Sequence, residues 1–478
     1  MKRIILWLRR DLRMHDNPAL VAAVEAADQV IPVFIWAAEE DGDWAPGGAQ
    51  RWWLHHSLAA IDDAFRQRGS RLVIRQGESL EQLRSLLDET GADTVFWNRL
   101  YEPRARERDT GIKQALRAQG QDVRSFNAGL LFEPWTQQTQ KGDPYRVFTP
   151  FWKSCLKGPP PAAPLAAPEA VPAPSSWPRG LDLAQLDLMP GTRWYQGISE
   201  NWTPGEDAAL KRLDWFLEQS LGQYHGRRDY PAVDGVSRLS PHLHFGEISP
   251  RSAWQATTAQ RVQSGMEAGG EAFLRELGWR EFAYHVLYHF PQTPDQPMNP
   301  RFRDFPWRPD PGGWLEAWQH GRTGFPIIDA GMRELWQTGW MHNRVRMIVA
   351  SFLVKNLRLD WRLGARWFWD TLVDADLASN TMGWQWSAGS GADAAPYFRV
   401  FNPLTQGEKF DPDGGYVRRF VPELRKLPPR FVHKPWAFPA AEAEKLDFRP
   451  GVSYPAPMVD LKQSREEALS AFRSLPGG

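Results

Sequence analysis

A single cysteine, Cys155, stands in a chain of 478 residues, which excludes an intramolecular disulfide and any cysteine-based metal site and fits a reducing cytosol. Nowhere do about 18 apolar residues run together, so no segment has the make-up of a transmembrane helix. The apolar stretch after Lys2-Arg3 stops at Arg9-Arg10, too short for the core of a secretory signal. Charge of neither sign is in excess, since Lys+Arg and Asp+Glu number 57 each. No global basic field announces nucleic acid, and any DNA contact has to come from a local patch. His, Asp and Glu recur at no spacing that suggests a metal site, and there is no internal repeat. His342 and the pair His55-His56 read as core residues rather than ligands or acids. These absences lead us to expect a soluble, cytoplasmic protein without membrane segment or metal.

What is present is enough chain for two domains. In the first third, short apolar runs alternate with amphipathic stretches. Ile4 to Leu8, Val30 to Trp36, Leu72 to Arg75, Thr94 to Trp97 and Val123 to Phe126 read as buried parallel strands, separated by helices such as Ala49 to Arg68 and Leu80 to Glu89. This is the pattern of a doubly wound α/β domain over residues 1–133. No Gly-rich phosphate fingerprint follows the first strand, which argues against a dinucleotide site there. From Lys157 to Gly180 proline and alanine dominate, the composition of an extended connector. We place the connector at 134–205 and a larger all-α domain at 206–478. Twenty-five tryptophans are unusual; they suit a helical core, stacking on planar ligands or electron relay. Trp314 with Trp318, and Trp336 with Trp340, are spaced to share a helix face.

The stretch Asp374-Ala-Asp-Leu-Ala-Ser-Asn-Thr-Met-Gly-Trp-Gln-Trp386 packs two carboxylates, one amide and two indoles into thirteen residues. Asp374 and Asp376 suit ribityl hydroxyls or a ring N–H, neutral Asn380 suits a flavin nitrogen, and Trp384 suits electron transfer. The competing reading is a capped, Trp-rich core helix. Upstream, Gly339-Trp-Met-His-Asn-Arg-Val-Arg-Met347 sorts by helical phase: Asn343 and Met347 share a face, Arg346 can pair with Asp374, and Arg344 projects elsewhere. In Glu276-Leu-Gly-Trp-Arg-Glu-Phe282, Glu276, Trp279 and Arg280 fall within one turn, either a functional face or an exposed ion-pair face. Val236-Ser-Arg-Leu-Ser240 follows a Pro-Ala-Val-Asp-Gly turn; hydroxyls and free amides at a helix entrance make an anion site, or else a plain cap.

Together with Leu6-Trp-Leu-Arg-Arg-Asp-Leu-Arg13, Asp16-Asn-Pro-Ala-Leu20, Ala395-Pro-Tyr-Phe-Arg-Val-Phe-Asn-Pro403 and Gln406-Gly-Glu-Lys-Phe410, these segments are similar to the photolyase/cryptochrome family of blue-light flavoproteins along nearly the whole chain. The resemblance implies one non-covalent FAD held by Tyr224, Val236, Ser237, Arg238, Leu239, Ser240, Phe273, Arg346, Asp374, Asp376 and Asn380. Val236 is a departure, because a hydroxyl residue is common there. It implies a flipped-out pyrimidine dimer bordered by Glu276, Trp279, Asn343, Met347 and Trp386, with Glu276, Asn343, Met347 and Asn380 as the catalytic set. It implies DNA contacts by Arg228, Glu276, Trp279, Arg280, Asn343, Arg344, Trp386 and Arg399. The electron relay it implies is Trp384, Trp361 and Trp307, with Trp314 competing for the last place.

Within the family, Asn343 and Met347 replace the paired histidines of six-four enzymes, and Asn380 replaces the aspartate of plant signalling cryptochromes. Val123-Arg-Ser-Phe-Asn-Ala, Leu131-Phe-Glu-Pro-Trp135 and Phe148-Thr-Pro-Phe-Trp152 resemble bacterial dimer photolyases near the plant cryptochromes. The implied activity is light-driven repair of cyclobutane pyrimidine dimers in damaged DNA by a monomeric deoxyribodipyrimidine photo-lyase; the alternative is a blue-light photoreceptor without repair. Reduced, anionic FAD would lend an electron to the extruded dimer and recover it after the ring splits. Arg104-Ala105 stand where folate-binding enzymes carry an Asn-Glu pair, so the antenna stays open between methenyltetrahydrofolate in another pose, a deazaflavin, or none.

Overall fold

The computed structural model describes residues 1–263, 265–394 and 398–476. Five strands, β1 (Arg3–Leu8), β2 (Gln29–Trp36), β3 (Val73–Gln76), β4 (Thr94–Asn98) and β5 (Asp122–Phe126), form one parallel sheet in the order β3-β2-β1-β4-β5. The helices between them are α1 (Pro18–Ala26), α2 (Gly48–Arg66), α3 (Ser79–Thr90) and α4 (Pro103–Ala118). Strands β1 and β2 are nearly continuous apolar runs because helices cover both sheet faces. Pro32 lacks a ladder donor and lies just before pairing with β3 begins at Val33. Asn17 caps α1 through the Leu20 amide at 3.2 Å, and Asn98 at the end of β4 donates to Asp11 at 2.6 Å and to Asn17 at 2.7 Å. The Leu6–Leu20 motifs therefore tie together the ends of β1, α1 and β4.

Helices dominate the rest: α5 (Phe148–Lys157), α6 (Gln196–Asn201), α7 (Glu206–Gln219), α8 (Tyr224–Arg227), α9 (Ser240–His244), α10 (Pro250–Arg261), α11 (Glu267–His289), α12 (Trp314–Gln319), α13 (Pro326–Thr338), α14 (Asn343–Ser351), α15 (Trp361–Thr371) and α16 (Leu377–Ala388). Helix α14 runs into a π-helical turn, Phe352–Asn356. One large apolar core joins α11 and α13–α16. Trp336 and Trp340 do not share a helix face, contrary to their spacing. Helix α13 stops at Thr338 with left-handed Gly339 beyond it, so Trp336 stays half exposed while Trp340 is buried.

The sheet and helical parts meet closely. Gly48 N–H donates to Asp370 at 2.8 Å, and Trp369 Nε1 donates to the Ala45 carbonyl at 2.7 Å. Fully buried Glu247 accepts from Trp53 Nε1 at 3.0 Å, from the Ser57 hydroxyl, from Gly205 N–H at 2.7 Å, and pairs with His242. Among the described residues no helix is long and apolar enough to cross a membrane.

Candidate active site

Helix α16 presents Asp376, Asn380 and Trp384 four residues apart along one side. Asp376 caps the helix, its Oδ1 accepting the Ser379 amide at 2.8 Å. Asp374, buried two residues earlier, takes the Arg346 guanidinium on both oxygens at 3.0 and 2.8 Å, and Arg346 Nε donates to the Met341 carbonyl at 2.7 Å. The pairing expected from helical phase is present. Asn380 Nδ2 donates to the Ala365 carbonyl at 3.1 Å. That bond leaves Asn380 Oδ1 as the acceptor available on the opposite side of the amide.

Trp384 is buried between Phe368 and Trp318, with ring centroids 5.0 and 6.1 Å away. It lies flush on Gly364 of α15, where an added Cβ would come within 2.0 Å of Trp384 Cη2. Gly364 is a residue the sequence reading missed. Its signal was a glycine inside an amphipathic helix, which costs about 1 kcal/mol in propensity unless packing requires it. Trp361, also buried, opens α15 behind the Asp360 cap. Trp307 and Trp314 are both half-buried and packed against the same core, Trp307 beside Phe305 at 4.4 Å and Trp314 under Arg308 at 5.2 Å.

His342 caps α14, its Nδ1 accepting the Arg344 amide at 3.2 Å. Burial, with Arg344 and Arg346 nearby, pushes the imidazole down to about 4, so it is neutral. Asn343 is exposed and Met347 half-buried on one side of this helix. Arg344 pairs with Asp229 at 2.8 Å and lies over the face of Phe410 at 4.5 Å, while its Nη1 also reaches Met347 Sδ at 3.9 Å and so stays beside that side.

On α11, Glu276 is ion-paired with Arg228, so two residues expected to contact DNA are brought together. Trp279 stacks on Phe148 of α5 at 3.8 Å and 9°. Helix α5 fits against α11 because Gly278 has no side chain; a Cβ there would meet the Trp152 ring at 2.6 Å. Arg280 requires a correction. Its guanidinium does not join the face of Glu276 and Trp279 but donates to the Gly129 carbonyl at 2.7 Å, crossing to the sheet domain over Tyr284. The guanidinium gives this half-buried carbonyl a charged donor and lies over the Tyr284 ring at 5.0 Å, which together hold it on that side.

The remaining candidates lie at the entrance to α9. Tyr224, Leu239 and Phe273 are buried in one cluster, with Tyr224 edge-on to Phe273 at 5.8 Å. Arg238 has φ 54°, and Leu239 after it is right-handed. Such a sequence turns successive N–H groups toward one side as an anion-binding nest. The amides of Ser237 and Arg238 meet no protein acceptor among the described residues. This backbone fits a diphosphate without the missing hydroxyl at Val236. Ser240 Oγ accepts from Trp340 Nε1 at 3.3 Å. The Arg238 side chain turns away, clamped between Trp202 and Trp340 at 4.5 and 5.0 Å in a cleft it shares with Glu334 and His342. The Arg238 backbone, rather than this side chain, forms the nest. Arg399 is exposed, with its carbonyl held by buried Lys355; residues 395–397 of that motif lie outside the described residues.

Profiles of known families match both parts of the chain: DNA photolyase over residues 4–174, and the FAD binding domain of DNA photolyase over 273–474. A deoxyribodipyrimidine photo-lyase of Agrobacterium fabrum is 50% identical, over 99% of this chain and 98% of its own length. Cryptochrome-1 of Arabidopsis thaliana is 41% identical over 98% of this chain and 70% of its own length. The crystal structure of a bacterial class III photolyase from Agrobacterium tumefaciens superposes with a TM-score of 0.96 at 50% identity, covering 99% of this chain and 98% of that one. With these matches spanning both the sheet and the helices that carry Arg346–Asp374, Asn380 and Trp384, the chain belongs to the photolyase/cryptochrome family.

Proposed function

We propose that this chain repairs cyclobutane pyrimidine dimers in DNA by light-driven electron transfer from reduced FAD. One observation carries the reading. Exposed Asn343 and half-buried Met347, Trp279, Glu276 and Trp386 sit on the same three packed helices, α11, α14 and α16, that carry Arg346 and Asn380, with Asp374 just before α16. A redox flavoprotein needs the second set and has no use for the first. FAD, when bound, supplies a light-absorbing one-electron donor. The protein would hold it by the 236–240 amides and the Arg346–Asp374–Asp376 loop. The aromatic rim would stack an extruded dimer whose weak pairing lowers the cost of flipping. The domain division at 133 and 205, a monomeric state and a cytoplasmic location belong to the same proposal. Anaerobic repair of dimer-containing DNA in light, absent in darkness, tests it. The alternative is a photoreceptor like the cryptochrome relatives, and photoreduction without any repair would establish that instead.

An antenna chromophore is also proposed. A cavity of about 290 Å³ opens over the carboxyl ends of β1 and β2 and reaches the segment after β4, beside the point where the strand order reverses, and α/β sheets bind ligands outside the carboxyl ends of their strands. Trp7, Trp36, Trp44, Arg9, Arg104 and Arg108 line it, and the Nε1–H groups of Trp7 and Trp44 are buried without acceptors. Indoles and guanidiniums suit a planar anionic chromophore, whether a folate or a deazaflavin.

Two predictions follow from the site. Asn380→Asp exchanges a neutral acceptor for a carboxyl whose pKa burial would raise. Under illumination it is expected to resist full reduction, while the parent reduces completely; spectra showing full reduction and parental repair would remove Asn380 from the flavin. Arg344→Ala is expected to weaken binding to dimer-containing DNA and flatten the plot of log affinity against log salt by about one unit. An unchanged slope would assign Arg344 wholly to Asp229 and Phe410.

A further inference from the structure

Asp374 and Asp376 are separated only by Ala375 in sequence, yet only Asp374 has a guanidinium to itself. Asp376 is buried, and its Oδ2 is met by the hydroxyl of Tyr284, which reaches it from α11. His244 Nδ1 stands 3.7 Å away. The same Tyr284 oxygen lies 3.5 Å from Oε1 of Glu102, a carboxylate of the sheet domain. A phenol has one proton, so it can serve only one of the two acids. Glu102 is paired with Arg10, which leaves the phenol proton to Asp376. Burial and the neighbouring carboxylates keep the Tyr284 hydroxyl protonated far above its ordinary range. Burial opposes the charge on Asp376, but the His244 ring beside it, Arg280 nearby and the hydrogen bond from Tyr284 hold its carboxyl below the usual range.

We propose that Tyr284 is the positioning residue of the FAD-holding loop: its single proton fixes Asp376 as an ionised cap of α16, and Arg10 secures that proton by occupying Glu102. The inference rests on the reading that this loop binds FAD. It makes the loop depend on Arg10, a residue of the other domain, through Glu102 and Tyr284. Removing the hydroxyl leaves a buried carboxylate oxygen without its hydrogen-bond donor, and hydrogen bonds to charged groups are the stronger ones. The cap would then shift or take up a proton, and Asn380 one turn along would move with it.

The test is FAD affinity of apoprotein, titrated by flavin fluorescence, for Tyr284→Phe, Asp376→Asn and both together, with circular dichroism to confirm folding. Tyr284→Phe is expected to weaken FAD on the order of tenfold, and most of that loss should vanish in the Asp376→Asn background, since the two residues act as a unit. Additive losses, or a Tyr284→Phe protein that binds like the parent, would overturn the proposal. Arg10→Met gives a second arm should Tyr284→Phe fold poorly. It frees Glu102 to compete for the phenol and is expected to loosen FAD severalfold; parental affinity for Arg10→Met would overturn the role of Glu102 and Arg10. A parent apoprotein that takes up no FAD would sink the underlying reading, and this inference with it.

Discussion

Arg346→Met is expected to yield folded protein that loses its flavin on purification. Asp374 has a side chain only 2% exposed, and Arg346 is the cation that neutralises it on both oxygens. Removing one member of a buried pair costs about 3–5 kcal/mol, because a charge is left without compensation. The Arg346 side chain is 24% exposed, so solvent screens part of this and the low end, about 3 kcal/mol, is appropriate. At about 1.4 kcal/mol per tenfold, FAD affinity should fall roughly a hundredfold if the loop bears the loss. Arg346 Nε also holds the Met341 carbonyl at the start of α14, so melting temperature should drop as well. Adding Asp374→Asn should restore much of the melting temperature without restoring the flavin. A single mutant that keeps FAD at parental affinity would separate this ion pair from cofactor binding.

The second large effect is expected at Trp384. Trp384→Phe should abolish photoreduction of oxidised flavin while leaving repair by chemically reduced enzyme intact, because a phenyl ring is much harder to oxidise than an indole yet fills most of the same space. Gly364→Ala reaches the same ring by another route. The new methyl meets Trp384 at 2.0 Å, and neither the backbone of α15 nor the buried indole can yield cheaply. Overpacking of this kind costs about 1–3 kcal/mol, which outweighs the gain of about 1 kcal/mol from replacing a helical glycine. The variant should therefore melt lower and photoreduce more slowly. If pre-reduced Trp384→Phe also failed to repair, the indole would be structural and the relay wrongly placed.

Local pattern was legible in the sequence to within a residue or two. The five strand assignments match β1–β5 apart from their ends, as with Leu72 to Arg75 against Val73–Gln76. Continuous apolar runs leave little choice when both sheet faces are covered. Helical phase was enough to separate Arg346 from Arg344, since both sit on one regular helix. Long-range competition was not legible. Whether Arg280 faces the open side or the sheet domain depends on the Gly129 carbonyl, 151 residues away in the chain. Trp279 reads as a free stacking surface until Phe148 is folded against it, and the connector containing Phe148 looks featureless over its Pro/Ala stretch. The pairing of Trp336 with Trp340 failed for a local reason: Gly339 ends the helix between them. Gly364 and Tyr284 were passed over because their meaning lies in a partner ring and a partner carboxylate that no spacing reveals.

Glu247 bears on how such a molecule can be inherited. A single buried anion gathers donors from Trp53 and Ser57 of the sheet domain, from Gly205 just before α7, and from His242 of α9. Neither half of the chain therefore owns a finished surface at the joint. Cut apart, one would expose an indole N–H and a hydroxyl on an apolar helix face, and the other a carboxylate that had been sealed from water. Recombination between relatives would have to carry the acid and its donors together, so this protein can be traded in evolution as a whole far more easily than by its halves.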